Sequence, residues 1–464
     1  MPQSENRDTW LRSGLPRGAA VFYLLIFSAA TVIYGAAWSG SMQETSDTPG
    51  YYETAADLSD FRLDNLNDRP PGYPVLLLLT GAGGHPTRRL FFTGLALHLI
   101  VIWMYGAILF RLGAGSLALS LFGLILLLPP FVQSSAMVLT ENLAQFCLAT
   151  TVFNFFLWWR KRRLIYLVIA SAAAGYGALT RPTYQALWLV MAALVIPAAG
   201  SLGRIGRAEI LRAAGAMIPV ALILIGGYAG WNYHKFGYFV VTPLLGYNLS
   251  TRTVRFWDRI PGDGPEGIKP LLIEVRNEEL ITPGSSHTGM QAIYSARDEI
   301  IRRTGMNRLE LGARLLRMNL DLIARAPLNY LQEVGRSIGG AYWFPAANRL
   351  ANMKSRFAQS FWSLLHFAII GAFFATCLMV AGALIDRLFR LIILKSGPGE
   401  MSMDLRQQLA VYLLAGTIVF YTMIISCLID TGDPRHRLPT DGLILMMTLL
   451  APRIWAGLAK TNCQ

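Results

Sequence analysis

Charge is scarce in this chain. Only 15% of its 464 residues are Asp, Glu, Lys or Arg, whereas 53% are hydrophobic; an ordinary soluble domain is about a quarter charged. A chain so composed cannot hide its apolar surface in water, so lipid is expected to solvate part of it. Acid is scarcer than base, with 28 Asp and Glu against 41 Lys and Arg and a net charge of +13. On a soluble protein that excess would point to nucleic acid. Here membrane topology accounts for much of it, and anionic membrane lipid, not nucleic acid, is the expected partner. Cysteine is nearly absent. Cys147, Cys377 and Cys427 sit in apolar runs and Cys463 at the very end, with no CxxC spacing and no His nearby, which speaks against a disulfide framework and a zinc site. There is no visible internal repeat or low-complexity tract, which argues against many secondary-transporter folds.

What the chain does have is long apolar runs. They lie near 18–38, 90–110, 113–132, 138–159, 164–180, 183–200, 210–232, 358–385, 408–429 and 438–457, which predicts an all-α polytopic bundle of roughly 10–11 helices. The first run follows Arg7, Arg12 and Arg17 and lacks a clear cleavage site, so it reads as an uncleaved first helix. The run at 72–82 is too short to span and reads as an interfacial or re-entrant helix. One set of connections carries Arg111, Arg160–Arg163, Arg204, Arg207, Arg212, Arg387, Arg390, Lys395 and Arg406, and the alternate short loops are much poorer in base, the long 233–357 loop not being counted because large translocated segments escape the rule. The positive-inside rule then puts both termini in the cytoplasm and turns 39–89, 133–138, 181–182, 233–357 and 430–437 outward. Three parts are expected: a transmembrane module over 1–232 that includes the outer loop 39–89, an extracytoplasmic cap over 233–357, and C-terminal membrane helices over 358–464. The cap has a Gly/Pro-rich first half, with Pro261-Gly-Asp-Gly-Pro265, and helical spacing of Leu, Ile and Met over about 291–340.

The polar residues that need a reason map to the outward ends of these runs. Asp47 precedes Pro49-Gly50 and a helical stretch. It reads as a helix N-cap or as a general base aimed at bound substrate. Arg69 opens the turn Arg69-Pro70-Pro71-Gly72-Tyr73-Pro74. It can snorkel to a lipid phosphate or bind the phosphate of a specific ligand. Glu141 stands at the start of a helix and Arg181 before Pro182, each readable as helix-end chemistry or as part of a site. The loop Asp430-Thr-Gly-Asp433-Pro434-Arg435-His436-Arg437 puts a dense cationic cluster on the outer side, against the topological trend, which marks it as a functional candidate. His436 reads as a hydrogen-bonding neighbour more readily than as a metal ligand. One or two acids and several arginines on one face suit an anionic, lipid-linked substrate and a hydroxyl to be activated.

Taken together, Asp47-x-x-x-Tyr51-x-x-x-Ala55, Arg69-Pro-Pro-Gly-Tyr-Pro74, Thr140-Glu141-Asn142, Thr180-Arg181-Pro182, Ala326-Pro327-Leu328-Asn329-Tyr330-Leu331 with Arg336 and Trp343, and Arg435-His-Arg437-Leu-Pro439 resemble the GT-C superfamily. This superfamily comprises polyprenyl-phosphate-sugar-dependent glycosyltransferases, and the likeness is to the protein O-mannosyltransferase and aminoarabinose-transferase type. The resemblance implies a GT-C-type bundle with two short juxtamembrane helices in the first outer loop. It also implies Asp47 as catalytic base and inverting transfer of a sugar from a polyprenyl-phosphate donor to an acceptor outside the cytoplasm; the host is open, and a bacterial inner membrane is the expected setting. Tyr51, Arg69, Tyr73, Glu141, Arg181, Arg435, His436 and Arg437 are then the expected substrate-binding residues, with the arginines on the lipid phosphate. Many relatives carry a second acid beside the loop aspartate, where this chain has Thr48. A divalent metal serves some relatives, but no compact ligand set indicates one here, and no cofactor is expected. The sugar, the acceptor and the oligomeric state stay open. A transporter or flippase of a lipid-linked anion is the alternative, and an O-antigen ligase or polymerase a third.

Overall fold

The structure, a computed structural model, describes residues 17–38, 40–62, 69–262, 264, 267–281, 290–345, 355–392, 400–430 and 432–463. Arg7, Arg12, Asp263, Pro265 and Lys395, named above, lie outside them. Every regular element among the described residues is helical. A single isolated bridge, Gln43 with Met137, is the one strand-like pairing among them.

In chain order the helices are α1 (Arg17–Ala36), α2 (Thr48–Ser59), α3 (Gly72–Leu79), α4 (Arg88–Arg111), α5 (Ser116–Leu126), α6 (Glu141–Lys161) and α7 (Ile165–Thr180). The stretch Pro182–Leu202 follows as α8, a helical run with a π segment at Met191–Val195. Then come α9 (Arg207–Ala216), α10 (Pro219–Phe236), α11 (Leu244–Thr253), α12 (Lys269–Ile281), α13 (Ala292–Thr304), α14 (Arg308–Arg325) and α15 (Pro327–Ile338). The chain closes with α16 (Arg356–Ile392), α17 (Met403–Ile429) and α18 (Asp441–Cys463).

Six helical stretches among the described residues are long and apolar enough to cross a membrane: Arg88–Arg111, Pro182–Leu202, Arg207–Phe236, Arg356–Arg390, Met403–Ile429 and Pro434–Thr461. The protein is therefore a multi-pass membrane protein by length and composition. A seventh counts if α5 and Pro129–Ala136 make one span, bent by 58°. That bend falls where Pro129-Pro130 bars a continuous helix. The sequence reading expected ten spans. The difference lies in α1 and α7, whose apolar helices Ala20–Ala36 and Ile165–Thr180 are short, and in α6. The latter is long but carries Glu141, Asn142, Gln145 and Asn154, all buried among neighbouring helices.

The largest core joins α1, α4, α5, α6, α7, α8, α16, α17 and α18, with Trp158, Phe155, Phe156, Phe122 and Tyr105 fully buried. Residues from Tyr247 to Ala326 form a second core around Trp257, Leu272, Ile293, Leu311 and Leu315. The cap stretch thus buries apolar surface of its own. A third cluster ties the first loop down, packing Met42, Tyr51, Ala55, Tyr73 and Leu77 against Phe91, Leu95, Val138 and Leu143. Gln43 helps fix it, donating from its N–H to Ala136 O (2.8 Å) and accepting from Val138 N (3.0 Å).

The loop 39–89 contains two short helices, α2 and α3. Pro49 starts α2 in its first turn, where a missing N–H costs nothing. Pro70 and Pro71 hold the chain out of helix until Gly72. Gly72 lies directly on the end of α7. A Cβ there would stand 2.7 Å from the Leu179 carbonyl carbon and oxygen, while Tyr176 Oη donates to the Gly72 carbonyl at 2.8 Å. Gly72→Ala should therefore push α3 off α7 and destabilise the protein by about 1–3 kcal/mol. Gly84→Ala, where a Cβ meets open space, should stay within about 0.5 kcal/mol of the parent. Thermal unfolding of the two purified variants checks this.

Candidate functional site

Asp47 stands at the N-cap position of α2, yet its side chain caps nothing. Both carboxylate oxygens are taken by guanidinium groups instead. Arg69 Nη2 donates to Oδ1 at 2.6 Å and Arg435 Nη2 to Oδ2 at 2.7 Å. The three side chains are between 14% and 27% exposed, so the cluster is partly shielded but reachable from outside. Burial by itself would raise the Asp47 pKa. The charges of Arg435 and Arg69, with their hydrogen bonds, outweigh it and hold the carboxyl well below the usual carboxylate range.

Local sequence explains the aim of each partner. Arg69 precedes two prolines, which disfavour helix at its own position. Its guanidinium lies 5.2 Å from the centre of the Tyr51 ring, a cation–π distance. Tyr51 sits one turn after Asp47 on α2 and meets Tyr73 edge-to-face at 5.0 Å. Both rings are buried. Arg435 is the second residue of the 3₁₀ turn Pro434–Thr440, which Asp433 caps by accepting from the Arg435 N–H at 2.8 Å.

The next residue on that turn leads into a second, deeper cluster. Pro182 forces Arg181 into an extended conformation (φ −136°, ψ 115°), ending α7. Its side chain then reaches Glu141 Oε1 at 2.9 Å and His436 Nδ1 at 3.0 Å. Since Arg181 is a pure donor, His436 accepts at Nδ1 and carries its proton on Nε2. That nitrogen faces Asp430 Oδ2 at 3.4 Å. Asp430 also accepts from Asn248 Nδ2 at 3.4 Å, and Tyr294 Oη donates to Asn248 Oδ1. A polar chain therefore runs from Tyr294 and Asn248 in the cap through Asp430, His436 and Arg181 to Glu141. Glu141 is 3% exposed, and its second oxygen has no hydrogen-bond partner among the described residues. It lies close enough to Tyr51 and Arg435 to act on both electrostatically, which joins the two clusters.

Eight of the nine residues singled out from sequence thus meet at one end of the bundle: Asp47, Tyr51, Arg69, Tyr73, Glu141, Arg181, Arg435 and His436. Arg437 points elsewhere. It is 1% exposed, pairs with Asp441 at 2.9 Å and donates to the Phe344 carbonyl at 3.3 Å. Sequence reasoning missed Asp430 as a partner of His436, and it missed Asn248 and Tyr294. Those two stand in ordinary helical stretches with no motif around them, so only the packing of the cap reveals them. Among the described residues no group of three His, Cys, Asp or Glu side chains could hold a metal ion.

The arrangement offers a carboxylate poised between two cations, a buried acid with a free acceptor oxygen, and aromatic rings beside both. This suits a ligand that combines an anionic group with hydroxyls. The deeper pair should behave as a buried ion pair. Arg181→Met leaves Glu141 unpaired and should cost about 3–5 kcal/mol, and Glu141→Gln in the same chain should restore much of it. A double-mutant cycle on unfolding free energy measures that coupling. Comparison of the chain with protein-family models, with curated proteins and with solved structures finds no match in any of the three.

Proposed function

We propose that this protein is an inverting, GT-C-like glycosyltransferase of a cell membrane, moving a sugar from a polyprenyl-phosphate donor to a hydroxyl acceptor on the side away from the cytoplasm. The observation that carries the reading is the bridge from Asp47 to both Arg69 and Arg435, beside Tyr51 and Tyr73, at the end of a multi-pass bundle. The base and the cations that can receive a phosphate leaving group share one pocket; inverting transfer sets them on opposite faces of the anomeric carbon, so the arginines must turn from Asp47 to the phosphate when the donor enters.

In this mechanism the acceptor oxygen attacks the anomeric carbon and its proton passes to Asp47. The bond from that carbon to the phosphate oxygen breaks, and polyprenyl phosphate leaves with the electron pair. Arg69 and Arg435 neutralise the charge that grows on it. Tyr51 and Tyr73 flank the sugar, and the free oxygen of Glu141 accepts from one of its hydroxyls. The clamp on Asp47 adds a condition. While both arginines hold the carboxylate it is a weak base, because the same contacts that lower its pKa reduce its pull on a proton. The donor's phosphate competes for the guanidinium groups, so donor binding frees the base.

Two measurements test the reading. Asp47→Asn should reduce sugar transfer from a purified polyprenyl-phosphate donor by at least about a hundredfold while donor binding persists. Retained turnover sinks the proposal, and loss of lipid movement instead of transfer would favour a flippase. The pH profile gives the second. In the free enzyme Asp47 stays ionised as pH falls through the ordinary carboxylate range, so kcat/KM should show no acid limb from it there. With donor bound, the arginines are drawn to phosphate, the pKa rises, and an acid limb should appear in kcat.

A further inference from the structure

We infer that α15, together with the π turn Gly339–Trp343 and Phe344 that follow it, lies in the interface of a phospholipid bilayer and seats the cap on the membrane. This stands independently of the glycosyl-transfer reading.

The first ground is the direction of its faces. Leu328, Leu331 and Ile338 share one side of α15 by helical spacing. They are 73%, 59% and 37% exposed. Glu333, Val334 and Ser337 are turned inward and buried, and Gln332 and Arg336 stand exposed at the edge of the leucine face, as interfacial helices carry polar and basic groups beside an apolar stripe. The buried acid is held by Arg336 one turn on and by Arg255 at 3.7 Å. A helix resting on a protein in water does the reverse, burying leucine and wetting glutamate. Leucines pointing outward in a row indicate that the medium they face is apolar.

The second ground is continuity. Beyond α15 the chain exposes Trp343 (49%) and Phe344 (55%), whose rings lie 6.3 and 6.1 Å from Phe367 on α16. Helix α16 is one of the membrane-crossing candidates, and its first turns expose Phe357, Phe361 and Leu364 at helical spacing. Exposed apolar side chains therefore follow one another from α15 through an aromatic pair to a helix long and apolar enough to span. Trp at such a junction is the usual mark of the membrane–water boundary. A second protein copy would need to cover the stripe while leaving the flanking span in lipid, and the ring contacts that join the two favour one medium for both.

The helix is also fastened to the loop that carries Arg435. Tyr330 Oη donates to the Leu428 carbonyl at 2.7 Å. Arg437 donates to the Phe344 carbonyl. Gly432, with φ +68°, lies so near that a Cβ on it would stand 2.6 Å from Ser337 Cβ. Seated in the interface, α15 brings the membrane surface up to the candidate site, so that a lipid-linked ligand reaches it without leaving the bilayer.

Spin labels at Leu328→Cys and Leu331→Cys in the full-length chain, reconstituted in phosphatidylcholine/phosphatidylglycerol nanodiscs, test this. Arg302→Cys in the cap, a charged side chain 76% exposed, serves as the water-facing control and Leu364→Cys as the lipid-facing one. At 328 and 331 relaxation by oxygen should exceed relaxation by a water-soluble nickel chelate, as at 364, with the order reversed at 302. Nickel access at 328 and 331 like that at 302 overturns the inference, and so does shielding from both reagents, which would mean a protein covers the stripe. A photo-crosslinker at position 331 in the chain with its native cysteines gives a second reading. Phospholipid adducts support the assignment, and protein adducts overturn it.

Discussion

One carboxylate held by two guanidinium groups organises this end of the molecule. Asp47 belongs to the first loop, Arg69 to the far side of the same loop, and Arg435 to the last one. Each arginine takes one of the carboxylate's two oxygens. Removing either arginine would leave a partly shielded charge short of a partner, and removing the aspartate would set two cations against each other. The short helices α2 and α3, the diproline turn and the 3₁₀ turn at Pro434–Thr440 can be understood as the means of bringing these side chains to one point.

Much of the site was legible in the sequence because short-range chemistry built it. Proline after Arg181, prolines after Arg69 and proline before Arg435 each set backbone direction locally, and charge at the ends of apolar runs is rare enough to stand out. Arg437 looked the same by those signs. It differs because Asp441 lies four residues on, a partner one helical turn away that claims it first. The capping reading of Asp47 was equally open from sequence. What decides against it is Arg435, 388 positions distant, which no local pattern reveals. The bundle was legible from apolar runs, but the number of spans was not. Runs alone do not register that α6 buries Glu141 and three amides, or that a diproline splits α5 from the turns after it.

The cap is coupled to the site through polar contacts. Tyr294 and Asn248 reach Asp430, which faces His436, which takes a hydrogen bond from Arg181. Each link is a hydrogen bond or close charge contact among partly or wholly buried groups, where the surroundings screen little. A shift of the cap therefore bears on Glu141, the acid whose second oxygen is free, without passing through Asp47. Under the proposed chemistry this separates two tasks: the outer cluster handles phosphate and proton, and the inner chain senses what the cap holds.

The separation of Asp47 from Arg435 along the chain also has a consequence in time. At the usual pace of about 5–20 residues per second, the ribosome needs roughly 20–80 s to travel from one to the other. Throughout that interval Arg69, made almost at once, is available to keep the nascent aspartate's charge matched while the remaining helices enter the membrane. The first loop thus waits half-assembled, and the contact that completes the candidate centre can form only once Arg435 has been made.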